Sequence, residues 1–86
     1  MRAVVVFREN SEERREAESW KNDVERWGGV EVEWVDPDSA EGASFAEAHR
    51  VAKYPTVLIL KEDGEVVQEW QGELPLIDTV VYWVKM

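Results

Sequence analysis

The sequence predicts one small α/β domain in which a parallel β-α-β unit is followed by a β-hairpin and a closing helix. Two continuous apolar runs, Ala3 to Phe7 and Thr56 to Leu60, have the β-branched composition of strands buried on both faces of a sheet. After each of them come apolar residues at helical spacing, so the sheet has helices to cover it. With 86 residues the chain buries only about 60 to 65% of its unfolded surface and builds a single core.

Taken in order, Arg2 to Phe7 is a central strand, because a run without polar alternation has to be covered from both sides. Asn10 or Ser11 then caps a first helix whose opening turn carries Glu12 and Glu13 at the positive end of the helix dipole. Ala17, Trp20, Val24 and Trp27 recur on one face, and Gly28-Gly29 provides the left-handed stop. Arg14 with Glu18, and Lys21 with Glu25, stand four apart on the solvated face. Val30, Val32 and Trp34 alternate with Glu31 and Glu33, the period of a strand that is wet on one side and near a sheet edge.

Asp36-Pro37-Asp38-Ser39 breaks that strand, and Asp38 or Ser39 caps a second helix running to about Ala52. Phe45, Ala48, Val51 and Ala52 form its inner face, and Gly42 is expected to cost it ~1 kcal/mol relative to alanine. Thr56 to Leu60, the Glu62-Asp63-Gly64 turn and the alternating Glu65 to Trp70 read as a hairpin. The tail from Val80 to Val84 is β-prone by propensity. Pro75 suits a first helical turn, however, and Leu76, Val80, Trp83 and Val84 share a face, so a helix is predicted.

Composition restricts function. With 19 acidic and 10 basic side chains the net charge is −9, a field that repels phosphate backbones and anionic lipid, so nucleic acid and membranes are not expected partners. Apolar runs reach five residues, against about 20 for a bilayer span, and the chain is read as cytoplasmic. Having no cysteine, it has no disulfide, no thiolate nucleophile and no cysteine-ligated zinc. Glu31, Glu33, Glu65 and Glu69 place charge along two edge strands, which predicts a monomer.

The segment from His49 to Val67, with its Tyr54-Pro55-Thr56 step, its apolar run to Leu60 and its Asp63-Gly64 turn, resembles the second half of thioredoxins, as does the later Gly72. Element order extends the likeness over nearly the whole chain; residue by residue it is specific over Lys53 to Gly72. The resemblance implies a thioredoxin-like fold, β-α-β-α-β-β-α, with a four-stranded mixed sheet in the order 2-1-3-4. The first and last helices then lie on one face and the middle helix on the other. It also implies a cis Tyr54–Pro55 bond beside the loop after the first strand, where the family carries Cys-x-x-Cys. Here that loop reads Glu9 to Arg15 without a thiol, so redox activity does not carry over. Capping logic aligns Ser11 and Arg14 with the two thiol positions; the family's loop length aligns Glu12 and Arg15.

Ser11 is open to two readings, a helix cap or a hydroxyl that activates a glutathione-type ligand. A Ser-His pair is disfavoured because His49, the one histidine, falls on the helix expected across the sheet. Asp36, Asp38 and Glu41 lack the spacing of a calcium loop and read as capping and solvating groups. The five tryptophans read as packing residues rather than a ligand cage, and no metal or cofactor is implied. What is left is the groove formed by Asn10, Ser11, Tyr54, Pro55 and Thr56. In the family this surface binds extended peptides or glutathione through backbone hydrogen bonds, which need no cysteine. The sequence therefore supports a non-catalytic domain, either a peptide- or protein-binding module or a stable scaffold. The second includes an idealised or designed sequence, given the Glu/Arg-rich helix surface and regular turn residues. Glutathione-type binding or transfer through Ser11 is the alternative.

Overall fold

The computed structural model describes all residues, 1–86. Its elements are β1 (Arg2–Val6), α1 (Glu13–Gly28), β2 (Val32–Val35), α2 (Ala40–Ala48), β3 (Thr56–Leu60), β4 (Val66–Gln71) and α3 (Ile77–Lys85). The sheet has the order β2-β1-β3-β4, with β1 parallel to β2 and antiparallel to β3, and β3 antiparallel to β4. The two unbroken apolar runs occupy the centre, and all five residues of β3 are buried.

Alternation along β1 and β3 divides the interior into two layers. Ala3, Val5, Phe7, Val57 and Ile59 face Ala17 and Val24 of α1 and Val80 of α3. Val4, Val6, Leu58 and Leu60 face the other way, against Phe45 of α2, Val51 and Tyr54. The first and last helices thus share one face and α2 covers the other, as the resemblance implied. No helix is long and apolar enough to cross a membrane.

Several local expectations are corrected. Trp27 is 73% exposed rather than inward, because α1 turns Gly28 toward α3 at that level. A Cβ on Gly28 would stand 2.6 Å from Val81 Cγ2, so this glycine serves close helix approach, and the left-handed stop is Gly29 alone, with φ 66°. Leu76 is likewise exposed, at the cap position of α3 just ahead of the apolar face made by Ile77, Val80 and Val84. Along β4 the expected alternation is broken. Ile59 pairs with Gln68 and Leu60 with Val66, which leaves Val67 as the extra residue of a bulge, and Val67 packs with the α1 layer while Val66 packs with the α2 layer.

The second helix stops at Ala48, four residues short of the expected end. Arg50 adopts φ 54°, its N–H donates to Glu47 O at 3.2 Å, and the Val51 N–H donates to Ala46 O at 2.9 Å. That pair of bonds is a Schellman stop whose left-handed residue is an arginine, so no glycine marks it in the sequence. Arg50→Gly is expected to raise stability by ~0.5–1 kcal/mol, since glycine adopts this conformation without Cβ strain. Urea midpoints of the two proteins measure it; a lower midpoint for the glycine variant would contradict the strain argument.

Candidate functional site

The loop after β1 and the turn into β3 come together because Val6 and Thr56 are paired in the sheet. The Tyr54–Pro55 bond is cis. Thr56 is fully buried, its Oγ1 donating to Lys53 O at 2.6 Å, and Pro55 O accepts the Gly72 N–H at 2.8 Å. The turn is thereby tied on one side to its own approach and on the other to the end of β4. The N–H and C=O of Tyr54 take part in none of these bonds. Its ring lies under Arg8, with the guanidinium carbon 5.2 Å from the ring centroid.

Arg8 is the residue that the sequence reading missed. Its Nε donates to Glu13 Oε1 at 3.0 Å, which joins the Tyr54 turn to the first turn of α1. A five-residue separation across a strand-to-helix turn has no helical or strand periodicity to reveal it. The expected cap is corrected as well. Glu12 holds the cap position of α1, with helical dihedrals (φ −68°, ψ −30°) and no side-chain cap bond. Ser11 does not serve there: it lies one residue upstream of the cap position, and its Oγ donates to Arg8 O at 2.6 Å, closing the turn before the helix. Asn10 is exposed, and Arg14 is paired with Glu18 at 3.0 Å on the outer face. The helix start therefore places Glu12 at its cap, already on helical backbone, and Arg15 one turn on, whereas Ser11 lies upstream.

His49 ends α2 on the other face of the sheet, its ring 4.1 Å from that of Phe45 and its Nδ1 2.9 Å from Phe45 O. Asp36 Oδ1 accepts from the Asp38 N–H, and Ser39 caps α2 by accepting from the Gly42 N–H at 3.0 Å. The tryptophans are dispersed. Trp34 stacks on Phe7 at 5.1 Å, Trp20 Nε1 donates to Pro75 O at 2.7 Å, and Trp70 and Trp83 pack against the α1 layer.

Two carboxylates of α1 are held below their ordinary value of 4.5. For Glu13, whose side chain is 15% exposed, burial pushes the other way but is outweighed by the Arg8 hydrogen bond and by the residue's own backbone N–H. For Glu25 the Val32 N–H, donating to Oε2 at 3.0 Å, is the main cause; burial opposes it and Lys21 adds to it. A depressed folded value means stabilisation that is complete above the unfolded pKa and is lost as pH falls through the folded one. The Glu13→Gln/Glu25→Gln variant is therefore expected to lose less stability than the parent on acidification from about pH 6 to about pH 3. The variant, with two carboxylates fewer than the parent's 19 acidic side chains, carries a net charge of −7 against −9. A second variant with two exposed, unpaired carboxylates neutralised, Glu31→Gln/Glu62→Gln, matches its charge and isolates the contribution of Glu13 and Glu25. Parallel pH profiles would show that neither carboxylate contributes.

This is the thioredoxin fold carrying a site without a thiol: sheet order, helix placement and the Tyr54–Pro55 turn are all present, and there is no cysteine. Among solved structures, thioredoxin 1 from the thermophilic eubacterium Thermosipho africanus is similar, with a TM-score of 0.70 at 15% identity, covering 99% of this chain and 91% of that one. A malarial protein matches with a TM-score of 0.67 at 13% identity, covering 96% of this chain and 91% of its own. No protein-family model matches the sequence, and neither does any curated protein. At such identities the likeness establishes the fold.

Proposed function

We propose that this chain is a non-redox thioredoxin-fold domain that binds an extended peptide or protein segment over the Tyr54–Pro55 turn. The observation that carries the reading is the free backbone of Tyr54. Pro55 O, Lys53 O and the Ser11 hydroxyl are each spent on the fold, while the Tyr54 N–H and C=O are not. A donor and an acceptor on one residue, beside a rigid turn, are what a strand-like peptide needs for a pair of main-chain bonds. Disulfide exchange is left without an attacking group. In this reading the domain acts as a monomer in the cytoplasm, with the acidic residues of β2 and β4 at the two sheet edges.

Ser11 is a weaker basis for glutathione-type chemistry, since its hydroxyl donates to Arg8 O and the carboxylate beside it, Glu13, is paired with Arg8 and held below its ordinary pKa. Titrating ¹⁵N-labelled protein with a panel of unstructured octapeptides, and separately with glutathione, tests both ideas. Peptide binding is expected to shift amides from Lys53 to Thr56 and to slow exchange of the Tyr54 N–H. No shift there at millimolar peptide would leave a stable scaffold without a ligand; saturable shifts with glutathione alone would favour the Ser11 alternative.

A further inference from the structure

A cleft of about 720 Å³ lies between the outer side of α1 and the segment that leads into α3. Its apolar lining is Trp20, Leu74, Pro75, Leu76 and Ile77. Isolated exposed leucines are ordinary surface features. Leu76 differs because it is 78% exposed with half-buried apolar neighbours beside it, on backbone that is fixed. Its carbonyl accepts from both the Thr79 and Val80 N–H groups, at 3.1 and 3.2 Å, and the preceding Pro75 is held by the Trp20 indole. The backbone of the cleft is thus preformed, so covering it orders side chains but not main chain.

The charge of the cleft indicates its occupant. The α1 side contributes Glu12, Glu16 and Asp23 against one guanidinium, Arg15. None of the three carboxylates takes part in the ion pairs of the molecule, which use Glu13, Glu18, Glu25, Glu33 and Glu65 instead. An apolar floor beside unpaired acidic groups complements a chain segment that carries a bulky apolar side chain next to lysine or arginine. We infer that the cleft is a second docking surface, for a basic-hydrophobic segment of a partner protein, separate from the Tyr54–Pro55 turn.

The test is an NMR titration of the whole chain with the capped peptide Lys-Arg-Leu-Phe-Lys-Lys. Two control peptides replace either its basic residues by glutamate or its apolar residues by alanine. The expected result is saturable shifts at the Trp20 indole N–H and at the Leu74, Leu76 and Ile77 amides, absent with both controls and weakened by added salt. Leu76→Ser, which removes an exposed side chain while keeping the backbone bonds of the α3 cap position and introducing a residue suited to it, should weaken binding about tenfold, the loss expected for one apolar anchor. Glu16→Lys should weaken it by about three- to tenfold through charge reversal. Shifts spread evenly over the acidic surface, equal binding by Leu76→Ser, or no binding at millimolar peptide would each overturn the inference. Shifts confined to Lys53 to Thr56 would also overturn it while supporting the Tyr54 reading, so the two proposals fail separately.

Discussion

Gly42→Ala is expected to destabilise the domain by about 2–3 kcal/mol, although helix propensity alone assigns alanine a gain of ~1 kcal/mol. The sign reverses because Gly42 is buried against the turn that leads into α2. A Cβ there would collide with Asp36 O and stand 2.5 Å from the Asp36 carbonyl carbon and 2.8 Å from Ser39 Oγ. Neither neighbour is free to withdraw. Asp36 O accepts from both the N–H and the hydroxyl of Ser39, at 3.1 and 2.7 Å, and Ser39 Oγ accepts from the Gly42 N–H in turn. Making room for one methyl group therefore costs the cap of α2 as well as a backbone shift. Ala43→Gly is the control: at an exposed position next door it should lose ~1 kcal/mol by propensity alone. Urea unfolding of the three proteins gives the comparison. If Gly42→Ala matches or exceeds the parent, the close approach of the turn to the helix is not what selects glycine.

Gly42 also shows where sequence reasoning stops. Its cost to the helix follows from propensity, but the carbonyl that forbids anything larger belongs to a residue six positions away, placed by a turn. The same limit applies at Trp27 and Leu76. Each sits one residue from a true inward position, Gly28 and Ile77, and a one-residue step on a helix rotates a side chain by about 100°. Apolarity favoured the larger residue in both cases, whereas the packing of α1 on α3 admits only hydrogen at position 28. Signals that depend on the chain alone were readable: the β-branched runs of β1 and β3, the Asp63-Gly64 turn, and Ser39 as a cap. The Tyr54–Pro55 turn was legible through family likeness rather than physics. The Arg8 contacts to Glu13 and Tyr54 were not, because one depends on how the β1–α1 connection turns and the other on a second connection, between α2 and β3, being brought beside it. The Ser11 assignment failed for a related reason. A serine before an acidic turn satisfies the capping pattern, but the helix begins a residue later, with Glu12 at the cap position, and the Ser11 hydroxyl closes the preceding turn onto Arg8 O.

Restoring two thiols is expected to give the largest functional change, from no exchange chemistry to a reversible intramolecular disulfide, and the helix start makes the choice of positions testable. Glu12 and Arg15 are one turn apart on helical backbone, where Cα atoms are ~5 Å apart, inside the usual disulfide span of about 4.4–6.8 Å. Ser11 lies before that turn and points back to Arg8, so the pair Ser11→Cys/Arg14→Cys requires the loop to rearrange first. We therefore propose that Glu12→Cys/Arg15→Cys bridges more readily, which reverses the order that capping logic assigns. That variant removes one charge of each sign and keeps the net charge at −9, so its thiol titration reports the helix terminus rather than a change in overall field. The thiol at position 12 should titrate modestly below the free value of roughly 8.5, favoured by the helix N-terminus and opposed by nearby carboxylates. Of these, Glu13 is largely offset by Arg8, while Glu16 is unpaired. Alkylation and mass measurement after equilibration in glutathione buffers count the bridged fraction, and ultraviolet titration reads the thiolate. Should the Ser11/Arg14 pair bridge more readily, the helix in solution begins a residue earlier than Glu12. Should neither pair bridge, the loop from Arg8 to Glu13 holds its side chains apart, and the site has been rebuilt around the arginine rather than merely stripped of its thiols.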